Sequence, residues 1–221
     1  MAKTISETRT TLTREELSNL SRVSSDVFFF SLFCYVIHPV RGKVRFDLYP
    51  FQKSVLYNFI AQRFNITLKF RQAGITELIS VYCRWLAVYH PNKKINIISI
   101  KDTTAKKVLK KIKFMYKNLP WYLQTPIING RAGEYGSASM IEFDNGSFIE
   151  SIPTSSEAGR SESLSLLVID EAAVVRWAAQ IWAAAFPTLS TGGAAIVNST
   201  PYGVGNFYHS TWVDAIAGGN P

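Results

Sequence analysis

Cysteine is scarce in this sequence: Cys34 and Cys83 stand alone among 221 residues. They lie far apart and match no metal-ligand spacing, which excludes a disulfide-stapled scaffold and points to two buried free thiols in a reducing compartment. Long apolar runs are missing too. The run Val27–Ile37, broken only by Ser31, is too short to span a bilayer and carries no small-residue cleavage site. It predicts a buried helix in a cytosolic protein with no membrane partner. Low-complexity segments and internal repeats are absent, so the chain is not of the disordered class. Acidic residues are outnumbered, 16 against 24 Lys and Arg, leaving a net charge of +8 and a pI near 9.5. That deficit favours a polyanionic partner, nucleic acid before a membrane surface, although charge alone identifies neither.

What is present suits one α/β domain. The chain is 47% hydrophobic, enough for a sizeable core. Thr13 followed by Glu16 reads as a capping box opening a first helix. His38–Leu48, with Pro39 and Gly42, reads as a turn and short strand. Val55, Leu56, Phe59 and Ile60 have helical spacing within Gln52–Arg63. Ile66–Phe70 predicts a strand, Thr76–Tyr89 an apolar helix ending before Pro91, and Ile95–Ile100 a buried parallel strand. Thr103–Asn118 predicts a helix. Ile141–Phe143 and Ser147–Ile149 flank Asp144-Asn145-Gly146, whose Asn-Gly pair predicts a type I′ hairpin. Leu166–Ile169 and Ala194–Asn198 are further apolar strands. Strands alternating with helices imply a mostly parallel sheet with covered faces.

Four segments carry chemistry. The first is Lys69-Phe70-Arg71-Gln72-Ala73-Gly74-Ile75-Thr76, between a predicted strand and helix. A standard phosphate loop reads G-x-x-x-x-G-K-[ST]. Gly74 and Thr76 hold its last Gly and Ser/Thr positions, Ile75 replaces the lysine, and Lys69 stands where the first glycine belongs. Backbone N–H groups at a helix N-terminus bind phosphate whatever the side chains. Lys69 can supply the missing cation and Thr76 the hydroxyl for Mg²⁺. An ordinary strand–loop–helix remains the alternative for this segment alone. The second is Ser165–Glu171, an apolar strand ending in Asp170-Glu171. Asp170 suits Mg²⁺ and Glu171 suits orienting the attacking water, though such a pair also serves as a solvated turn. The two segments support each other. The third is Asn198-Ser199-Thr200-Pro201-Tyr202-Gly203, a strand end whose hydroxyls can sense a γ-phosphate or simply make a turn. The fourth is Leu48-Tyr49-Pro50-Phe51-Gln52. There an amide can pair with adenine and a ring can stack on it, unless both belong to a helix start. Arg71 and Arg160 are candidates for the finger that neutralises charge on the transferring phosphoryl group.

Together these segments resemble the ATPase half of the large terminase subunits of tailed phages with a T4-like motor. The resemblance rests on Tyr49 and Gln52, Arg71-Gln72-Ala73-Gly74-Ile75-Thr76, Asp170-Glu171 and Ser199-Thr200-Pro201. It extends to His38-Pro39-Val40-Arg41-Gly42, Phe143-Asp144-Asn145-Gly146-Ser147 and Asn206-Phe207-Tyr208. It implies a P-loop NTPase of the additional-strand glutamate class: a mostly parallel sheet flanked by helices, with a small N-terminal helical or lid portion. Residues 1–45 would form that portion and residues 46–221 the ATPase core. The implied activity is hydrolysis of ATP, with Mg²⁺, to move double-stranded DNA into a procapsid. Lys69, Arg71, Gln72, Ala73, Gly74, Ile75, Thr76, Tyr49, Gln52, Ser199 and Thr200 would hold the nucleotide. Thr76 and Asp170 would hold the metal, and Glu171 with Arg71 or Arg160 would act in the chemistry. The implied partners are duplex DNA, a portal protein, a small terminase subunit and further copies in a ring. The implied location is the host cytoplasm and, during packaging, the portal vertex. The nuclease half of the family is not expected in this chain. A helicase-like ATPase and a non-hydrolysing nucleotide-binding module, suggested by Ile75, are the rival readings.

The lysines of the helix near residue 110 belong to the same question. Lys106, Lys110, Lys113 and Lys117 share a face opposite Val108, Leu109, Ile112 and Met115, with Lys101 and Lys107 close by. That face is either a DNA-phosphate contact or a solvated exterior.

Overall fold

The computed structural model describes residues 11–130, 135–155, 158 and 163–219. Helix α1 (Arg14–Ser25) opens on the expected box: the Thr13 side chain accepts the Glu16 N–H, and Glu16 reaches back to the Thr13 N–H. Asp26 then caps α2 (Val27–Ser31) through the Phe29 N–H at 2.9 Å. The expected long buried helix over Val27–Ile37 is not formed. α2 stops at Ser31, and the run turns into β1 (Tyr35–His38), which pairs antiparallel with β2 (Gly42–Arg45). Apolarity marked the run as packed. It could not show that Phe30 faces the core in a helix while Ile37 stands 64% exposed on a strand.

Helix α3 (Pro50–Ala61) leads to β3 (Phe64–Leu68), and α4 (Ile75–Tyr89) leads to β4 (Lys94–Ile98). Helix α5 (Asp102–Asn118) and the hairpin β5 (Met140–Glu142)/β6 (Phe148–Ser151) follow. The hairpin turn is not type I′. Gly146 alone takes a positive φ, of 80°, and its N–H bonds to Phe143 O at 3.1 Å, the pattern of a type I turn closed by a left-handed glycine. Asn145 stays out of the left-handed region, and its side chain serves elsewhere: Nδ2 donates to Ala87 O and Val88 O, capping the end of α4. Then come β7 (Leu166–Asp170), α6 (Ala178–Ala185), β8 (Ala194–Ser199) and α7 (Phe207–Ile216).

The main sheet has the order β3-β8-β7-β4-β6-β5, parallel throughout except for the edge strand β5. β7 is buried along its whole length, as a strand covered on both faces must be. Its alternate residues feed two apolar layers: Leu166 and Val168 join α1–α5, while Leu167 and Ile169 join α6 and α7. The first layer runs unbroken from Val23 and Phe30 through Leu78 to Ile112, so residues 11–45 share one core with the sheet. Full burial of a side chain such as Leu78 or Ile112 contributes about 2 kcal/mol each. Cys34 and Cys83 are buried free thiols. One charge lies inside this layer: Arg84, fully buried, stacks under Tyr116 at 4.4 Å and Phe143 at 5.4 Å. Burial lowers its pKa to about 10. Among the described residues no helix is long and apolar enough to cross a membrane.

Candidate active site

Parallel pairing sets the site. β3, β8 and β7 end together: Leu68 pairs with Ser199, and Asp170 with Asn198. The residues just beyond these ends therefore meet above the carboxyl edge of the sheet, where open α/β sheets bind ligands. The Lys69 N–H still bonds to Ser199 O at 3.0 Å, which pins the start of the phosphate loop to β8.

The loop from Lys69 to Gly74 curls through positive φ at Gln72 (64°) and Gly74 (72°), and hands over to α4 at Ile75. N–H groups in such a loop and at a helix N-terminus are of the kind that can bind an anion. Ile75, where a standard loop has its lysine, is 2% exposed and belongs to the core. The cation at the mouth of the loop is Lys69. Its side chain is 8% exposed, and Nζ lies 2.5 Å from Glu171 Oε1.

Glu171 sits in the left-handed region at φ 59°, a strained conformation for a residue with a side chain. The kink turns its carboxylate off the axis of β7 towards β3 and β8. Oε2 accepts the Thr200 N–H at 3.3 Å and the Thr200 hydroxyl at 3.1 Å. Partial burial pushes the Glu171 pKa up, but hydrogen bonds from Lys69 and Thr200 and the lysine charge outweigh it and hold the group below its usual value. Asp170 behaves oppositely. It is 4% exposed, and burial raises its pKa despite the Asn198 amide at 2.7 Å, the Lys69 charge and the Thr76 hydroxyl. Thr76 Oγ1 stands 3.3 Å from Asp170 Oδ2, so a hydroxyl and a carboxylate share one small polar recess beside the loop.

A cavity of about 650 Å³ opens over this edge, within the usual range for nucleotide-sized ligands. Lys69, Phe70, Arg71, Gln72, Glu171 and Thr200 line it, with Ile100, Val174, Pro201 and Tyr202. Arg71 is exposed at its wall, and Arg160 lies outside the described residues. Ser199 does not reach the cavity: it is buried, its hydroxyl donates to Thr200 O and accepts the Ala173 N–H, and it braces the turn from behind. Gln52 is buried as well, with its amide tied to Tyr49 N–H and Ala73 O. Tyr49, 62% exposed, stacks on Phe51. Sequence reasoning assigned no role to Asn198, which holds Asp170. Its signal was a polar residue ending the apolar strand Ala194–Asn198, in register with the carboxylate it serves.

The lysines of α5 divide. Lys106 pairs with Asp102, Lys111 with Glu77, and Lys113 donates to Ser137 O. Lys101, Lys107, Lys110 and Lys117 are exposed. The β1–β2 hairpin lies alongside, with Lys43 Nζ donating to Asn118 Oδ1 at 3.1 Å and Arg41 and Arg45 exposed.

No family model matches the sequence. Solved structures do match the fold. The ATPase domain of the Thermus phage P74-26 large terminase aligns with a TM-score of 0.56 at 21% identity, covering 76% of this chain and 70% of that one. The HK97 bacteriophage large terminase aligns with a TM-score of 0.66 at 21% identity, covering 94% of this chain and 42% of that one. The large terminase of a thermophilic bacteriophage, in complex with ADP, aligns with a TM-score of 0.62 at 16% identity, covering 79% of this chain and 44% of that one. The chain thus has the fold of the terminase ATPase domain and spans less than half the length of the last two proteins.

Proposed function

We propose that this chain is the ATP-hydrolysing motor domain of a large terminase subunit, which drives double-stranded DNA into a viral procapsid. One observation carries the reading: at the carboxyl ends of β3, β7 and β8, Lys69, Glu171 and Thr200 meet on one cavity, and the Thr76–Asp170 pair lies next to Glu171. The backbone N–H groups of the loop and the α4 N-terminus take the β- and γ-phosphates. Lys69 leaves Glu171 to join them, which frees the carboxylate. Glu171 then orients a water on the γ-phosphorus and accepts its proton, while the bond to the ADP oxygen breaks.

Asp170 and Thr76 fit Mg²⁺. They are hard oxygen donors side by side, and among the described residues no group of three or more His, Cys, Asp or Glu could hold a metal, so the rest of its shell falls to phosphates and water. When bound, Mg²⁺ neutralises charge on the phosphate oxygens. Arg71 acts on the same phosphates within the subunit, or Arg160 acts on a neighbour's nucleotide in a ring.

The exposed lysines of α5 and the hairpin arginines supply the surface for DNA backbone, and the portal protein and small subunit complete the assembly at the portal vertex. The ADP bound by the thermophilic phage's terminase supports a nucleotide as the ligand. Phosphate-release assays on wild type, Lys69→Ala and Glu171→Ala test the chemistry. Glu171→Ala should still bind ATP and lose at least ~10²-fold in turnover. Undiminished turnover in that variant overturns the mechanism.

A further inference from the structure

Asp170 has a polar neighbour on each side. Asn198 of β8 stands in register with it. On the other side β4 places Ile98 beside Ile169, so the residues that follow them, Ser99 and Asp170, are neighbours too. Ile95 and Ile97 join the first apolar layer and Ile98 the second. That alternation turns Ser99 to the first layer, the side from which α4 brings Thr76 to Asp170. The next residue, Ile100, lines the cavity.

Asn198 and Ser99 are fully buried, and each has an oxygen with no hydrogen-bond partner among the described residues: Asn198 Oδ1 and Ser99 Oγ. We infer that these two oxygens accept hydrogen bonds from the waters of a hydrated divalent cation, so that Asn198 and Ser99 set how tightly the ion is held; the inference rests on the proposed metal site at Asp170 and Thr76.

The orientation of the Asn198 amide follows from its neighbour. Nδ2 donates to Asp170 Oδ1 at 2.7 Å, and an ionised carboxylate can only accept, so the amide oxygen is the atom left over. Ser99 is fixed through its backbone, where its carbonyl accepts the Thr154 hydroxyl, while its own hydroxyl bonds to nothing described. Buried acceptors left unmade are costly, and they persist where something else completes them. A hydrated Mg²⁺ suits both atoms. The ion sheds water reluctantly and is held by few protein oxygens, so it arrives carrying donors. Neither atom is charged, so neither competes with Asp170 for the ion itself. Ser151 marks the limit of the arrangement. Its hydroxyl is also buried without a described partner, but it lies in register with Ile97, two residues farther from the sheet edge than Ser99.

Calorimetry of ADP binding in Mg²⁺ and in EDTA reads the affinity that the metal adds. Ser99→Ala and Asn198→Leu should each cut that gain by ~10-fold and leave ADP affinity in EDTA unchanged. Ser99→Ala should also leave the urea midpoint of the metal-free protein no lower, because the hydroxyl has no bond to lose there. Ser151→Ala should keep the wild-type gain. An undiminished gain in either Ser99→Ala or Asn198→Leu overturns the inference, as does an equal loss in Ser151→Ala. A lowered metal-free midpoint in Ser99→Ala with the gain intact would reveal a resident water in place of the ion's, and overturns it as well. Where Asn198→Leu fails to fold, Ser99→Ala decides. Absence of any Mg²⁺ gain in the wild type sinks the proposed metal site, whereas absence of ADP binding sinks the nucleotide reading itself.

Discussion

Asp170 and Glu171 are neighbours whose surroundings push them in opposite directions. Glu171, held low by Lys69 and Thr200, stabilises the folded chain above its unfolded pKa and loses that contribution as pH falls through its folded value. Asp170, raised by burial, binds its proton more tightly folded than unfolded. Its contribution is present below the ordinary carboxylate range and is lost as pH rises through the folded pKa. Wherever Asp170 is ionised, its charge is therefore a cost that the proposed metal site imposes on the empty protein. Asp170→Asn should raise the urea midpoint of the nucleotide-free protein at neutral pH and erase the extra thermal shift that Mg²⁺ adds to ATP. A lowered midpoint would show instead that the carboxylate supports the fold. The pair itself was legible, because an apolar strand ending in two acids is uncommon packing. The opposite environments were not: they depend on Asn198, Thr76 and Lys69, which other strands and loops deliver.

At the scale of elements, the loop between β3 and α4 shows how a departure from the standard pattern is absorbed. Lys69 enters from the end of β3, while Gly74 makes the left-handed step that aims α4 at the cavity. Gly74→Ala puts a Cβ at φ 72° and against Gln52 Nε2. The expected outcome is a melting temperature lower by roughly 3–6 °C, from on the order of 1–2 kcal/mol of strain, and weaker ADP binding by calorimetry. Unchanged ADP affinity would mean the loop tolerates a shifted α4. Strands β4, β7 and β8 were readable because covered strands are mostly apolar. The Val27–Ile37 run was not, since a helix and a strand packed on the same layer both need apolar residues. The struts at Gln52 and Ser199 were hidden for a related reason. Their hydrogen bonds join segments the chain separates: Gln52 reaches Ala73, and Ser199 reaches Ala173.

Across the whole molecule, charge is unevenly spent. Acids near the helices are taken up in pairs such as Glu77 with Lys111 and Asp102 with Lys106, which leaves Lys107, Lys110 and Lys117 exposed beside the hairpin. If these three meet DNA phosphates, replacing all of them by Glu should weaken duplex binding uniformly across sequences. It should also flatten the slope of log affinity against log salt by ~2.7. An unaltered slope places the DNA path on another face. The Lys69–Glu171 pair has a last consequence, for the idle protein. In the empty site the cation and the base cancel, with Glu171 further occupied by Thr200. A stray anion finds Lys69 already paired, and loose water finds Glu171 already bonded. On the proposed mechanism, silence at rest is thus built from the same two groups that do the work, and a ligand breaks it by drawing Lys69 away, a task that suits a polyphosphate better than a lone inorganic ion.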